Sequence, residues 1–110
     1  MTTDTQAAGE FYRSVVGWMT RSMDGGGVDY TVFETPGEAG IGGMMTKPPG
    51  QPASFWTYYI TVDGIGAGVN RVKAAGGTVI NGPMPVPGGD WIVQGLDPQG
   101  AMFALFSPTE

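Results

Sequence analysis

Residues 54–77 read SFWTYYITVDGIGAGVNRVKAAGG, and this stretch decides the fold. Its first part, 54–62, is rich in aromatic and β-branched residues, which predicts the strongest strand of the chain. Asp63 is the predicted N-cap of the helix that follows, because its carboxylate can accept hydrogen bonds from the first helical N–H groups. The helix ends at Gly76. Its apolar face is predicted to contain Ile65, Val69, Val72 and Ala75.

Three further apolar segments complete the second half of the chain and predict strands at 78–80, 91–94 and 101–106. A Pro-rich run that ends at Pro87 separates the first two strands. The sequence Asp-Pro-Gln-Gly at 97–100 predicts a tight turn into the closing strand. The second half therefore consists of one strand, one helix and three more strands.

The first half repeats this plan from its helix onward. Residues 4–17 match 63–76 in length, and Thr3 or Asp4 is the predicted cap. Gly17 is a predicted left-handed stop. The helix is predicted to bury one apolar face. That face contains Ala7, Ala8, Phe11, Tyr12, Val15 and Val16.

Strands at 18–23, 29–34 and 39–45 follow the first helix, with a predicted hairpin turn at 24–27. The internal repeat predicts a duplicated α+β module. Module one covers 1–46, a Pro-rich linker covers 47–53, and module two covers 54–110. Because the linker is too short to be a flexible tether, we expect a single domain with one core.

The composition of the chain disfavours several classes of binding partner. The net charge is −5, and the five basic residues form no stripe, which disfavours nucleic acid. The chain has no cysteine for disulfides or thiol chemistry. No stretch approaches the roughly 20 apolar residues of a membrane span, and the N-terminus has no signal pattern. A cytoplasmic protein that does not contact membranes is therefore expected.

Several short motifs, taken in order, resemble the vicinal-oxygen-chelate superfamily of glyoxalases, bleomycin-resistance proteins and dioxygenases. They are Tyr59-Ile60-Thr61-Val62-Asp63, Ala74-Ala75-Gly76-Gly77 and Asp97-Pro98-Gln99-Gly100-Ala101-Met102-Phe103, with Ala7-Ala8, Phe11-Tyr12 and Val16-Gly17-Trp18 in the first half. The resemblance implies paired βαβββ modules whose curved, mostly antiparallel sheets enclose a cleft. It also implies a homodimer and a small-molecule ligand.

The sequence departs from the family pattern in two places. The chain starts at the first helix cap, so the first module lacks its initial strand, or the gene start lies upstream. The unpaired backbone would then need another partner. The metal-ligand positions implied by the family fall near 42–44, at Thr57 and at Ala104, and none carries a good ligand. With no histidine or cysteine in the chain, we expect no metal and no other cofactor.

Strand alternation and the resemblance together suggest the ligand-binding side chains. Thr57, Tyr59 and Thr61 are predicted to face the cleft, while Ile60 and Val62 face the helix with Trp56 and Tyr58. Phe103 and Leu105 should also face the helix. For each cleft residue, plain core packing is the alternative. Alternation also turns Met102, Ala104 and Phe106 toward the cleft. The remaining predicted ligand-binding residues are Met102 and Phe106 by alternation, Met44 and Trp91 by analogy with the family, and Tyr30.

These observations support three functional hypotheses. The first is a metal-independent protein that binds an apolar or aromatic small molecule in the manner of bleomycin-resistance proteins. The second is a lyase or isomerase that uses carboxylate or tyrosine acid–base chemistry, for which Glu34 is the candidate catalytic carboxylate and Tyr59 the candidate tyrosine. The third is an interaction module that pairs through the open sheet edge of its first half.

Overall fold

The computed structural model describes residues 1–23 and 29–110. The predicted hairpin turn at 24–27 lies outside these residues. The chain divides into two compact units, Met1–Trp56 and Thr57–Glu110, each with its own sheet. The architecture is α+β, as predicted, and a single domain with a shared core stays a prediction.

The first unit contains helix α1 (Thr5–Val16) and strands β1 (Met19–Met23), β2 (Tyr30–Thr35) and β3 (Glu38–Met45). The strands form an antiparallel sheet in the order β1-β2-β3. All three strands lie close to their predicted positions, and Pro36-Gly37 forms the turn between β2 and β3.

A single residue pairs alongside β3, where the initial strand was expected to be missing. Thr2 forms a parallel bridge with Thr46. The Thr2 N–H donates to the Met45 carbonyl over 3.0 Å, and the Lys47 N–H donates to the Thr2 carbonyl over 2.8 Å. Thr2 therefore pairs beside β3 at the position where the initial strand of a module would lie.

Both predicted ends of α1 are confirmed. The Asp4 side chain caps the helix by accepting a hydrogen bond from the Ala7 N–H at 2.9 Å. Gly17 takes the left-handed conformation, with φ of 74°, and its N–H donates to the Arg13 carbonyl. Glycine suits this position because it has no Cβ to oppose a positive φ.

The predicted apolar face of α1 is wrong in part, because Phe11 and Val15 are 57% and 62% exposed. The helix is instead buried at Gly9. A Cβ built on Gly9 would lie 3.2 Å from Met44 Cε, so the missing side chain lets the helix approach β3 closely. Periodicity alone identified the apolar residues of α1 but not the side that contacts the sheet.

We expect Asp4→Ala to lower the free energy of unfolding by about 1 kcal/mol, the usual cost of losing a helix N-cap. Asp63→Ala is the matched control, since Asp63 was predicted to be a cap but makes no side-chain hydrogen bond that caps α2 (Ile65–Ala74). Urea denaturation followed by circular dichroism measures both. Equal losses in the two variants would contradict the assignment of Asp4 as a cap.

An aromatic cluster fills the first unit. Phe33 of β2 is 1% exposed. Its ring centroid lies 4.9 Å from that of Trp18, 5.9 Å from Tyr12 and 6.4 Å from Trp56. Trp56 also donates a hydrogen bond from Nε1 to the Tyr12 hydroxyl over 3.2 Å. The segment around Trp56 therefore packs as part of the first unit.

The second unit contains β4 (Tyr59–Thr61), α2, β5 (Thr78–Pro85), β6 (Trp91–Leu96) and β7 (Met102–Ser107). The strand order is β4-β7-β6-β5, with β4 parallel to β7 and the other pairs antiparallel. The first unit has the same order when Thr2 takes the place of β4. The duplicated module predicted from the sequence is therefore present.

The strand predicted at 54–62 is much shorter in the structure. Only Tyr59–Thr61 is a strand, paired with Ala104–Phe106 of β7. Trp56 and its neighbours are not in a strand. High β-propensity describes side chains that suit a pleated, half-buried surface, and it does not by itself make a strand. Residues 54–58 lie outside the strand, although the Tyr58 carbonyl accepts a hydrogen bond from the Ala104 N–H of β7 over 2.9 Å.

Two further predictions at the ends of elements are corrected. Gly64, not Asp63, is the N-cap of α2, and it provides no side-chain hydrogen bond. The strand predicted at 78–80 extends to Pro85, with irregular register against β6. Gly82 lies at this irregularity, with φ of 88°.

The core of the second unit lies between α2 and one face of its sheet. Ile65, Val69, Val93 and Leu105 are buried together, and Phe103 packs against them. Phe103 and Leu105 face the helix, as predicted from the alternation of β7. The opposite face of this sheet is called the open face below.

Candidate functional site

Strand register brings polar side chains together on the open face of the second unit. Ala104 of β7 pairs with Tyr59 of β4 on one side and with Gln94 of β6 on the other. Directly paired residues point to the same face of a sheet. Ala104 is fully buried, and its small side chain leaves the space above it to its two neighbours.

A line of hydrogen bonds crosses this face. Gln94 Nε2 donates to the Tyr59 hydroxyl over 2.9 Å, and Asn81 Nδ2 donates to Gln94 Oε1 over 3.1 Å. We call Tyr59, Gln94 and Asn81 the polar ladder. The Tyr59 hydroxyl accepts from Gln94 and keeps its own proton for donation. All these bonds are exposed, so a bound molecule could reach their donors and acceptors.

Apolar side chains lie on both sides of the polar ladder. Met102 pairs with Leu96 toward one end of the sheet, and Phe106 pairs with Ile92 toward the other. Met102 is 40% exposed, and its sulfur accepts a hydrogen bond from the Thr57 hydroxyl over 3.4 Å. The open face therefore combines apolar contact area with a central row of polar groups, as is usual in small-molecule sites.

The structure places the predicted site residues of the second unit as follows. Tyr59, Thr61, Met102, Ala104 and Phe106 share the open face through the register of β4 and β7, and Thr57 joins them through its bond to Met102.

Trp91 is a correction, because it packs against the helix-side core with Val93 rather than on the open face. Trp91 and Val93 are two residues apart on one strand, so their side chains point the same way.

Met44 lies in the first unit. It is buried and lines a cavity of about 190 Å³ with Tyr12, Phe55 and Trp56. Met1 also lines this cavity, and its amino group donates to the Phe55 carbonyl over 2.9 Å. Partial burial lowers the pKa of this amino group below its usual value of 8.0, because desolvation disfavours the charged form.

The other two predicted residues of the first unit lie on its sheet. The ring of Tyr30 lies over Gly43 of β3, where a Cβ would collide with it. Glu34, the candidate catalytic carboxylate, accepts a hydrogen bond from Arg21 Nε at 2.8 Å in a cross-strand ion pair. This contact gives Glu34 a structural partner.

The residues of the chain do not fit the divalent metal site implied by the fold. The sequence contains neither histidine nor cysteine. Over 1–23 and 29–110, no three acidic residues come together in a group that could hold a metal ion. Glycine, threonine and alanine occupy the positions where ligands were expected, apart from Met44, whose thioether is a poor ligand for a hard or borderline divalent ion.

Gln94 and Asn81 were not predicted as site residues from the sequence. A signal was present, because Gln94 is a polar residue inside the otherwise apolar strand Trp-Ile-Val-Gln-Gly-Leu. A polar residue within such a strand needs a partner or solvent. Its alignment with Tyr59 depends on β7 lying between β4 and β6, which the local sequence does not encode.

Comparison with known families agrees with this architecture. The family model described as Glyoxalase/Bleomycin resistance protein/Dioxygenase superfamily matches residues 1–105. The chain belongs to this superfamily. The predicted family resemblance is therefore confirmed over both modules.

Two curated relatives share clear sequence similarity. "Putative glyoxylase CFP32" of Mycobacterium tuberculosis is 39% identical over 100 residues, which cover 89% of this chain and 38% of that protein. "Anthracycline biosynthesis protein DnrV" of Streptomyces peucetius is 34% identical over 118 residues, covering 94% of this chain and 42% of DnrV. The chain thus spans about two-fifths of the length of these relatives.

Among solved structures, a glyoxalase/bleomycin resistance protein/dioxygenase family enzyme from Burkholderia phytofirmans is 20% identical, with a TM-score of 0.45. The match covers 96% of this chain and 91% of that one. TnmS3, an antibiotic binding protein from Streptomyces sp. CB03234, is 21% identical, with a TM-score of 0.42, covering 98% and 89%. Within the described residues, neither helix has the length and apolar character needed to cross a membrane.

Proposed function

We propose that the second unit binds an apolar or aromatic small molecule on its open face, without a metal ion. The observation that carries this proposal is the exposed polar ladder of Tyr59, Gln94 and Asn81 between two apolar flanks. A planar ligand could place its apolar surface over the flanks and its polar edge against the ladder. In small-molecule sites, apolar side chains typically provide most of the contact area and a few polar groups fix the orientation of the ligand.

The chemistry of the ladder defines the ligand more closely. Tyr59 can donate through its hydroxyl, while the amides of Gln94 and Asn81 each combine donors with an acceptor. A ligand with phenol or quinone oxygens on one edge would match both roles. The name of DnrV refers to anthracycline biosynthesis, and anthracyclines are planar aromatic molecules of this kind. An anthracycline such as doxorubicin is therefore the first probe.

We expect Tyr59→Phe and Gln94→Leu each to weaken binding of this probe by about tenfold. Each substitution removes a hydrogen-bonding group whose ligand partner would then be left unpaired, at a cost of roughly 1–3 kcal/mol. Quenching of the probe's fluorescence on titration with protein gives the dissociation constant. The fold of each variant is checked by circular dichroism.

Matched controls are available for both substitutions. Tyr58→Phe changes the same residue type at a neighbouring position that is 79% exposed. Gln99→Leu changes an exposed glutamine in the 97–100 turn, where only the backbone N–H of Gln99 bonds to Asp97. Both controls should bind as the unchanged protein does. If Tyr59→Phe and Gln94→Leu bound equally well, the open face would not be the site.

Native mass spectrometry of freshly purified protein supplies an independent test. A small organic adduct would support the binding function and identify the ligand class. A metal mass on each chain would contradict the proposed independence from metal. The same spectrum tests the predicted homodimer. Like the cytoplasmic location, the homodimer stays a prediction.

A further inference from the structure

A second concave surface lies on the helix side of the second unit, away from the open face. It is a groove of about 300 Å³ between α2 and β7, closed at one end by the 97–98 turn. Phe103 and Leu105 of β7 form its floor, and Val72 lies in its wall. This volume is at the lower end of the range for small-molecule sites.

Small residues on α2 and at its C-cap leave the groove open. Gly68 of α2 and Ala75, the C-cap residue, line it but add little or no side chain. A Cβ on Gly68 would lie 3.0 Å from Leu105 Cδ1, so glycine lets the helix sit close to the floor. Ile60 of β4 pairs with Leu105 and is 53% exposed, which extends the apolar floor beyond the groove.

Arg71 gives the groove its charge. Its side chain lines the groove, and the ion pair between Arg21 and Glu34 is the only one found among residues 1–23 and 29–110. Asp97 also lines the groove, but its Oδ1 accepts hydrogen bonds from the N–H groups of Gln99 and Ala101, both at 2.9 Å. Over 1–23 and 29–110, the guanidinium of Arg71 therefore has no ion-pair partner, and it lies beside the apolar side chains of the groove.

We propose that this groove binds small carboxylic acids with an apolar body, with the carboxylate on Arg71 and the body over Phe103 and Leu105. Guanidinium and carboxylate match in shape and charge and can form two parallel hydrogen bonds. The aliphatic part of the arginine side chain can cover the apolar body while the head group meets the anion. A neutral or cationic ligand of the same shape would leave the guanidinium without this partner.

A stabilising role for Arg71 in the helix is the simpler explanation of its position, and the chain provides the control that separates the two. Arg71 and Lys73 both lie in the last turn of α2, where a positive charge favours the helix dipole. Only Arg71 lines the groove. Arg71→Met and Lys73→Met should therefore have similar effects on stability and different effects on binding.

The test is a titration of the full chain with octanoate, followed by amide shifts in ¹H–¹⁵N NMR spectra. We expect saturable shifts at Gly68, Gly77 and Phe103, with a dissociation constant on the order of 1 mM for so small a ligand. Octanamide should bind at least about tenfold more weakly because it lacks the charge. Acetate, which lacks the apolar body, should cause no saturable shifts at these residues.

Two groove variants and two controls complete the test. Arg71→Met should weaken octanoate binding about tenfold or more, and Ala75→Phe should abolish it by filling the groove. Lys73→Met and Ala67→Phe, at α2 positions outside the groove, should bind octanoate as before.

Absence of saturable shifts at the groove would overturn the proposal, as would unchanged binding in Arg71→Met or equal binding of octanamide. Because the groove and the open face lie on opposite sides of the sheet, failure at one site leaves the result at the other independent.

Discussion

Phe33→Ala is expected to lower the free energy of unfolding by about 3–5 kcal/mol, the range for truncating a fully buried phenylalanine. Phe33 is 1% exposed, and its ring lies within 6.4 Å, centroid to centroid, of Tyr12, Trp18 and Trp56. Truncation removes the apolar contact and leaves a cavity between rings that are too rigid to collapse into it. The aromatic pairs add about 0.5–1.5 kcal/mol beyond their buried area.

Phe11→Ala is the matched control. Phe11 also contacts Tyr12, with ring centroids 5.1 Å apart, but it is 57% exposed. We expect it to cost less than about 1.5 kcal/mol, mainly from the lost ring contact. Guanidinium denaturation followed by tryptophan fluorescence measures both variants, since Trp18 and Trp56 lie in the affected cluster. Similar losses for Phe11 and Phe33 would contradict the assignment of Phe33 as the centre of this core.

Gly82→Ala is expected to lower the free energy of unfolding by about 2–5 kcal/mol. Gly82 has φ of 88°, where an alanine is strained by about 1–2 kcal/mol. A Cβ at this position would also lie 2.8 Å from the Ile92 carbonyl oxygen and 3.1 Å from the Met84 nitrogen. Both are backbone atoms, and the Ile92 carbonyl belongs to β6, so its relief requires β5 and β6 to separate locally, which adds about 1–3 kcal/mol.

Gly100→Ala separates these two contributions. Gly100 has nearly the same φ, 87°, but a Cβ there would meet no atom within 4 Å. Only the conformational strain of about 1–2 kcal/mol should remain. Thermal and urea denaturation of both variants give the comparison. If Gly100→Ala were as destabilising as Gly82→Ala, crowding between β5 and β6 would not be the cause.

Features that depend on a few neighbouring residues could be predicted from the sequence. The Asp4 cap and the left-handed Gly17 follow from side-chain reach and from the absence of a Cβ. The 97–100 turn forms because the Asp97 carboxylate bonds to two N–H groups close by in the chain. The alternation that places Phe103 and Leu105 toward the helix is likewise a local property of a strand.

Features that depend on distant partners could not be predicted in the same way. Residues 54–58 have high β-propensity, but Trp56 packs with Tyr12 and Phe33 instead of pairing in a strand. Trp91 was assigned to the ligand-binding face by analogy, whereas its packing with Val93 places it on the other face.

The candidate site also contains one residue that could be predicted from its own strand and one that depends on distant partners. Tyr59 was predicted as a ligand-binding residue from alternation within its own strand. Gln94 was not, because its approach to Tyr59 requires a third strand, β7, to lie between them in a particular register. The alternation of residues along one strand follows from the sequence, but which strands are neighbours depends on the strand order of the whole sheet.

Ala104 is fully buried beneath the side chains of Tyr59 and Gln94, and their separation depends on its single methyl group. A bulkier residue at position 104 would increase the distance between the Tyr59 hydroxyl and the Gln94 amide. Glycine would let these two side chains lie closer to the sheet. Under the proposed binding function, substitutions at this buried position beneath the two hydrogen-bonding groups would therefore shift ligand preference. Randomising Ala104 alone would retain every chemical group of the site while changing the spacing that the site recognises.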